Sequence, residues 1–198
     1  MNILGLIPAR AGSKRAPGKN IRLLSSVPLI AWTFKAAVFS RLLDKLVVST
    51  DDIPTAVVAD QYGIETVERP AEFATDEATA YSVMLNTLDT IDETFDFLCY
   101  LQPTSPFRTP MDIDNCIWAA MEYPPAAVTV SEQRINEPNG AVYVGRVDWL
   151  RETIAAGVEM PFDTDTPHRI TMEHWRSLDI DTEEDWQRAE GHVALMTS

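Results

Sequence analysis

Short apolar runs alternate with longer stretches of helical period along this chain, and that alternation constrains its fold more than any other feature of its 198 residues. Runs at 3–7, 46–50, 64–67 and 95–101 have the length and flanks of buried strands. Helical stretches follow them at 28–39, 51–62, 76–92 and 110–122. Pro28 opens the first of these, Asp51 and Asp52 cap the second, and Gly63 ends it. Such alternation is the pattern of right-handed crossovers. The expected fold is α/β: a single-domain, Rossmann-like, doubly wound and mostly parallel sheet spanning 1–198. Further strands are expected at 127–131, 141–144 and 169–172, with a polar connection between the first two and a closing helix from Glu183. Ligands of such sheets bind beyond the carboxyl ends of the strands, which puts the loops after residues 7, 50, 67 and 101 on one functional rim.

Charge narrows the ligand. The net charge of −14 disfavours nucleic acid and anionic membranes as partners. Residues 1–43 nevertheless contain no Asp or Glu and carry seven cations: Arg10, Lys14, Arg15, Lys19, Arg22, Lys35 and Arg41. An acidic chain with one cationic segment suits a small, highly charged anion there. No apolar stretch reaches the length of a membrane span, and the opening Met-Asn-Ile-Leu-Gly-Leu-Ile-Pro reads as a first strand rather than a signal peptide. The expectation is a cytoplasmic protein in which Cys99 and Cys116 are buried thiols.

The cationic segment ends the first strand in Ile7-Pro8-Ala9-Arg10-Ala11-Gly12-Ser13-Lys14-Arg15-Ala16-Pro17-Gly18-Lys19-Asn20. Glycines let backbone N–H groups approach phosphate oxygens, Arg10 and Lys14 neutralise charge, and Ser13 donates a hydrogen bond. The Gly-Lys-Ser/Thr ending of a Walker A loop is absent. On physical grounds this is a polyphosphate site.

The same run resembles the signature of the acylneuraminate cytidylyltransferase family, which includes CMP-sialic acid and CMP-Kdo synthetases. Further matches follow in the family's order: Ser49-Thr50-Asp51-Asp52, Arg69-Pro70, Leu101-Gln102-Pro103-Thr104-Ser105-Pro106-Phe107-Arg108, Asn139-Gly140-Ala141-Val142-Tyr143 and Ser177-Leu178-Asp179-Ile180-Asp181-Thr182-Glu183. The resemblance implies transfer of CMP from CTP to an acidic sugar with Mg²⁺ as cofactor. It implies that Ala9, Arg10, Gly12, Ser13, Lys14, Lys19, Asn20, Arg69, Ala78 and Gln102 bind the nucleotide. Arg10, Lys14 and Lys19 would stabilise the leaving pyrophosphate. Gln102, Arg108, Asn139 and Tyr143 would face the acceptor, and Arg108, Arg134 and Arg169 are the candidates for its carboxylate.

Asp179 and Asp181 alternate around apolar Ile180, so on an extended segment both carboxylates project to one side. By themselves they serve equally as metal ligands or as caps of the helix that follows. The resemblance places the family's metal ligands here. His168, His174 and His192 have no metal or triad spacing, and no residue stands out as a general base. One departure concerns the acceptor. Relatives carry a longer dimerisation arm before Asn-Gly, whereas here Val130-Ser131 is followed by only a short segment with Arg134 as its sole cation and Glu137 at an often basic position. A monomer, or a homodimer on another face, is expected. The competing readings are another acceptor, such as a sugar phosphate or phosphonate, another base, or a nucleotide-binding protein without turnover.

Overall fold

The computed structural model describes residues 1–12 and 18–196. Its centre is a seven-stranded sheet. In chain order the strands are β1 Ile3–Pro8, β4 Lys45–Thr50, β5 Glu65–Glu68, β6 Phe97–Tyr100, β7 Ala126–Ser131, β8 Arg134–Arg146 and β9 His168–Met172. A separate ribbon pairs β2 Leu23–Leu24 with β3 Val27–Pro28. Sheet order is β5-β4-β1-β6-β8-β7-β9. Neighbours are parallel except for β8, which runs antiparallel to both β6 and β7. The Rossmann-like, mostly parallel expectation therefore holds.

Helices α1 Leu29–Val38, α2 Ile53–Gln61, α3 Ala80–Thr90, α4 Pro110–Glu122, α5 Val147–Ala155 and α6 Glu183–Met196 complete the fold. Two apolar clusters cover the two faces of the sheet. Ile7, Phe34, Val48, Ile113 and Val142 belong to one, and Leu6, Val47, Met84, Leu98 and Phe162 to the other. Successive strand residues point to opposite faces, which is why neighbours such as Leu6 and Ile7 fall in different clusters. A third cluster joins Leu24, Leu29, Phe107, Ile180 and Trp186, fastening the final helix to the first ribbon.

Boundaries follow local chemistry. Asp52 accepts from Thr55 N at 3.1 Å and caps α2, and Gly63 (φ +68°) turns the chain out of it. Thr109 and Asp112 form a reciprocal capping box at α4. Pro28 precedes rather than opens its helix. Helix α3 is shorter than the 76–92 expected, because Thr79 accepts from Ser82 N at 3.1 Å and starts it there. Residues 76–78 stay outside the helix as a result. The connection expected between 131 and 141 is instead paired: β8 begins at Arg134 and forms a hairpin with β7, irregular between Val128 and Ser131. Among the described residues there is no arm in this place. Cys99 and Cys116 are free and buried, where desolvation pushes both thiols far above their ordinary range. No helix of the described residues is long and apolar enough to cross a membrane.

Candidate active site

The carboxyl ends of β1, β4 and β6 form one rim, and three cavities open along it. A crevice of about 260 Å³ lies between the end of β1 and the loop before α3, lined by Arg10, Arg69, Ala78, Ala80 and Gln102 among others. A polar cavity of about 630 Å³ runs from Gln102, Gly140 and Asp179 past Asn139 and His174 to Arg134 and Arg188. The third, about 900 Å³, is walled by Tyr81, Tyr100, Tyr143 and Phe162, with Met84 and Leu85 alongside. Gln102 borders all three. It leaves β6, which adjoins β1 where the strand order reverses, and at such a point an open sheet parts into a crevice.

On the crevice side, Arg10 donates to Asp76 at 2.7 Å and to the Ala74 carbonyl at 3.4 Å. Asn20 donates to the Arg10 carbonyl at 3.4 Å, and Ala9 N to the Ser49 carbonyl at 2.9 Å. Arg69 is buried and donates to the Ser49 hydroxyl (3.2 Å) and carbonyl (2.8 Å), and burial lowers its pKa. Gly12 is exposed with open space around its Cα. Ser13 and Lys14 lie outside the described residues.

Asp179 and Asp181 flank buried Ile180, whose N–H is pinned to the Thr104 carbonyl at 2.8 Å. Helix capping falls to other groups: Thr182 accepts from Asp185 N at 3.2 Å, and the Asp185 carboxylate accepts from Thr182 N at 3.0 Å. Asp179 Oδ1 is buried without a hydrogen-bond partner. Burial raises its pKa, a Thr104 hydrogen bond opposes that, and Asp181 raises it further. Lys19 donates to the Ile180 carbonyl at 2.7 Å and lies 3.4 Å from the Asp181 carboxylate. A partnerless buried carboxylate oxygen next to a second carboxylate fits a hard divalent cation that takes its remaining ligands from phosphate and water.

Gly140 sits at φ +81°, and a Cβ there would come within 3.2 Å of Gln102 Oε1 and 3.5 Å of Asp179 Oδ2. The acceptor candidates divide. Tyr143 borders both large cavities. Asn139 faces the polar one, but its amide is engaged within the fold. Oδ1 accepts from Thr129 (2.7 Å) and Ala141 N (3.1 Å), and Nδ2 donates to Ser177 at 3.1 Å. Arg134 lines the polar cavity beside Glu137, at 3.9 Å. Arg169 is turned to Thr164 and Asp165 and borders none of the three cavities. Arg108 is 3% exposed, borders none of them, and donates to Thr33 at 3.0 Å and to the Gln102 carbonyl. Its geometry is that of a brace beneath Gln102 rather than of an acceptor contact. Sequence reasoning missed Arg188 and the aromatic wall of Tyr81, Tyr100 and Phe162. These come from separate elements and share no motif.

The sequence profile described as Cytidylyltransferase matches residues 4–184. CMP-N,N'-diacetyllegionaminic acid synthase of Legionella pneumophila is 46% identical over 121 residues, which are 59% of this chain and 52% of the relative. N-acylneuraminate cytidylyltransferase of Escherichia coli is 35% identical over 137 residues, covering 69% of this chain and 32% of its own length. That of Streptococcus agalactiae is 30% identical over 98% of this chain and 54% of its own. The chain thus spans between about a third and about half the length of these relatives. A CMP:2-keto-3-deoxy-manno-octonic acid synthetase solved with CTP superposes with a TM-score of 0.76 at 16% identity, covering 99% of this chain and all of the other. At that identity the likeness concerns the fold alone. The profile match runs from the first strand through both carboxylates to the cap of the final helix, and by it this chain belongs to the cytidylyltransferase family.

Proposed function

We propose that this chain transfers CMP from CTP to an acidic sugar, a sialic acid-like nonulosonic acid or Kdo, and releases pyrophosphate. The observation that carries the reading is the convergence of three cavities on Gln102: a narrow crevice beside cations, a polar cavity with paired carboxylates, and an apolar cavity. The names of the relatives, synthases of CMP-activated acidic sugars, agree with it.

CTP takes the crevice, with Asn20, Arg69 and Gln102 around cytosine and ribose and Ala9, Gly12 and Ala78 against the nucleotide. Gln102 carries a donor and an acceptor on one amide, as base recognition requires. Arg10, Ser13, Lys14 and Lys19 hold the β- and γ-phosphates. The acceptor occupies the two larger cavities, next to Tyr143. Its anomeric hydroxyl oxygen bonds to the α-phosphorus, and the bond from that phosphorus to the β-bridging oxygen breaks. Pyrophosphate leaves with the electron pair, and the hydroxyl proton passes to solvent. Asp179 and Asp181 would hold Mg²⁺, which when bound would neutralise phosphate charge as a Lewis acid and acidify the hydroxyl. The side chains contribute position and charge, which dominate phosphoryl and nucleotidyl transfer. The reaction runs in the cytoplasm, and the short β7–β8 hairpin fits a monomer or a dimer built on another face.

Pyrophosphate release measured with each of the four ribonucleoside triphosphates over a panel of sialic, legionaminic, Kdo, sugar-phosphate and phosphonate acceptors tests this. CTP with a sugar acid is expected to dominate. Release with a sugar phosphate or phosphonate, or with another base, would replace the assignment.

A further inference from the structure

Arg69 and Arg108 are the buried arginines of the described residues, and Arg108 borders none of the three cavities. Burying a guanidinium is expensive unless a carboxylate is paired with it. Arg108 has no such partner among the described residues. It donates to the Thr33 hydroxyl at 3.0 Å and to the Gln102 carbonyl, and its Nε has no hydrogen-bond partner. Nearby Asp112 is taken by Arg176 at 2.6 Å. Burial pushes Arg108 down to about 10, so it stays charged at neutral pH.

The cations on the rim differ. Arg10 is 2.7 Å from Asp76, Lys19 is 3.4 Å from Asp181, and Arg22 is 2.6 Å from Glu183. Their fields are cancelled locally and screened by solvent. A charge in the interior acts through a lower dielectric and is screened far less. Arg108 lies directly behind Gln102, whose carbonyl it holds, at the residue where the three cavities meet.

Resting on the nucleotide reading above, we propose that Arg108 is a buried counter-charge for the anionic ligands of this site, a positioning residue that draws phosphate and carboxylate groups to the junction of the cavities through its field and without touching them. A unit charge acting at ~10 Å through an effective dielectric of ~20 changes affinity by on the order of tenfold per ligand charge. A scaffolding role has no reason to depend on ligand charge, and that difference is the test.

Cytidine, CMP, CDP and CTP are titrated in EDTA against the wild-type chain, Arg108→Met, Arg108→Gln and Arg108→Lys, with melting recorded for each. In the neutral variants cytidine affinity should stay within about twofold, CMP should weaken about tenfold, and CDP and CTP should weaken further. Arg108→Lys should retain the wild-type gradation. Arg108→Gln covers the case in which Arg108→Met does not fold, since it removes the charge and keeps a polar donor on the side chain. Equal loss for cytidine and CTP, no loss for CTP, or failure of both neutral variants to fold would each overturn the proposal. So would loss of the gradation in Arg108→Lys, which would assign the effect to guanidinium hydrogen bonds. A wild-type chain that binds no nucleotide would instead remove the nucleotide reading, and this inference with it.

Discussion

The crevice and the two larger cavities are built by different kinds of chain. The crevice is the work of consecutive loops at the ends of parallel strands. Its parts are tied by short contacts such as Arg10 to Asp76 (2.7 Å) and Ala9 N to the Ser49 carbonyl (2.9 Å). The larger cavities are assembled across the antiparallel half, from β8, the turn before β9, α3 and α6. One end is local and lined by cations. The other is a long-range composite, partly apolar, whose shape depends on how the β7–β8 hairpin and α6 sit on the sheet. Nucleotide binding should therefore tolerate changes in the second half, and acceptor binding should not.

The largest test lies where the two ends share groups. Asp179→Asn and Asp181→Asn should each cut turnover about 10³-fold, since several kcal/mol of charge stabilisation would be lost. Melting should not fall, because capping belongs to Thr182 and Asp185. For Asp179 the sign can be stated. Burial raises its pKa in the folded chain, so the charged form costs stability above the unfolded pKa, and the neutral amide should raise the melting temperature at pH 7. Turnover kept by Asp181→Asn at limiting Mg²⁺, or a fall in melting with activity kept, would make the pair structural.

Next is the hinge of the comparison, Gly140. At φ +81° a side chain is strained, and its Cβ would press on Gln102 Oε1 at 3.2 Å. Gly140→Ala should cost about 1–2 kcal/mol of stability. Gln102 serves both ends, so the KM for CTP and the KM for the acceptor should rise together. An increase confined to one substrate would show that Gln102 does not join the cavities.

The sequence foretold the two ends unequally. Around the crevice a strand end, glycines and cations are adjacent in the chain, so the loop with Arg10, Lys19 and Asn20 stands out in the sequence, whereas Gln102 stands out only through the family motif that contains it. The segment carrying Ala78 has no proline or glycine to mark it off from α3, and only the bond from Ser82 N to the Thr79 hydroxyl sets the helix start behind it. In the acceptor half, Tyr81, Tyr100, Tyr143 and Phe162 meet from four separate elements, and no single window contains that wall. Helix α5 has no start signal in the sequence, because Arg146 caps it without a side-chain hydrogen bond. The pairing of Arg134–Asn139 was hidden because an exposed hairpin with Pro138 and bulges has no apolar alternation. Arg108 could not be placed by spacing, which does not distinguish a buried brace from a contact.

A smaller effect should separate the ends. Tyr143 borders the polar and apolar cavities, and its hydroxyl has no hydrogen bond to a described residue. Burial and nearby carboxylates raise its pKa, so it stays a neutral donor throughout the working range. Tyr143→Phe should raise the acceptor KM up to about tenfold, the worth of one hydrogen bond, and leave the KM for CTP unchanged. A change in the CTP value alone would put the tyrosine on the nucleotide side.

The smallest expected effect concerns the joint that holds the halves together. Ser25 and Ser26 connect β2 to β3 as a two-residue turn with φ +49° and +67°, the left-handed geometry of a type I′ turn. Serine gains nothing from that conformation, whereas Asn-Gly adopts it readily. The ribbon matters because it ties the first half to α6: Leu24 packs in one cluster with Ile180 and Trp186, and the Arg22 guanidinium lies 4.0 Å from the Trp186 ring while pairing with Glu183. Ser25→Asn with Ser26→Gly should stabilise the chain by about 1 kcal/mol, a rise in melting temperature of ~2–4 °C for a chain of this size. If the joint is scaffold only, both KM values and turnover stay at wild type while melting rises. A shift in acceptor KM with melting unchanged would mean that the ribbon's strain sets the position of Asp179 and Asp181 through α6, and the two ends would then be coupled more tightly than their separate construction implies.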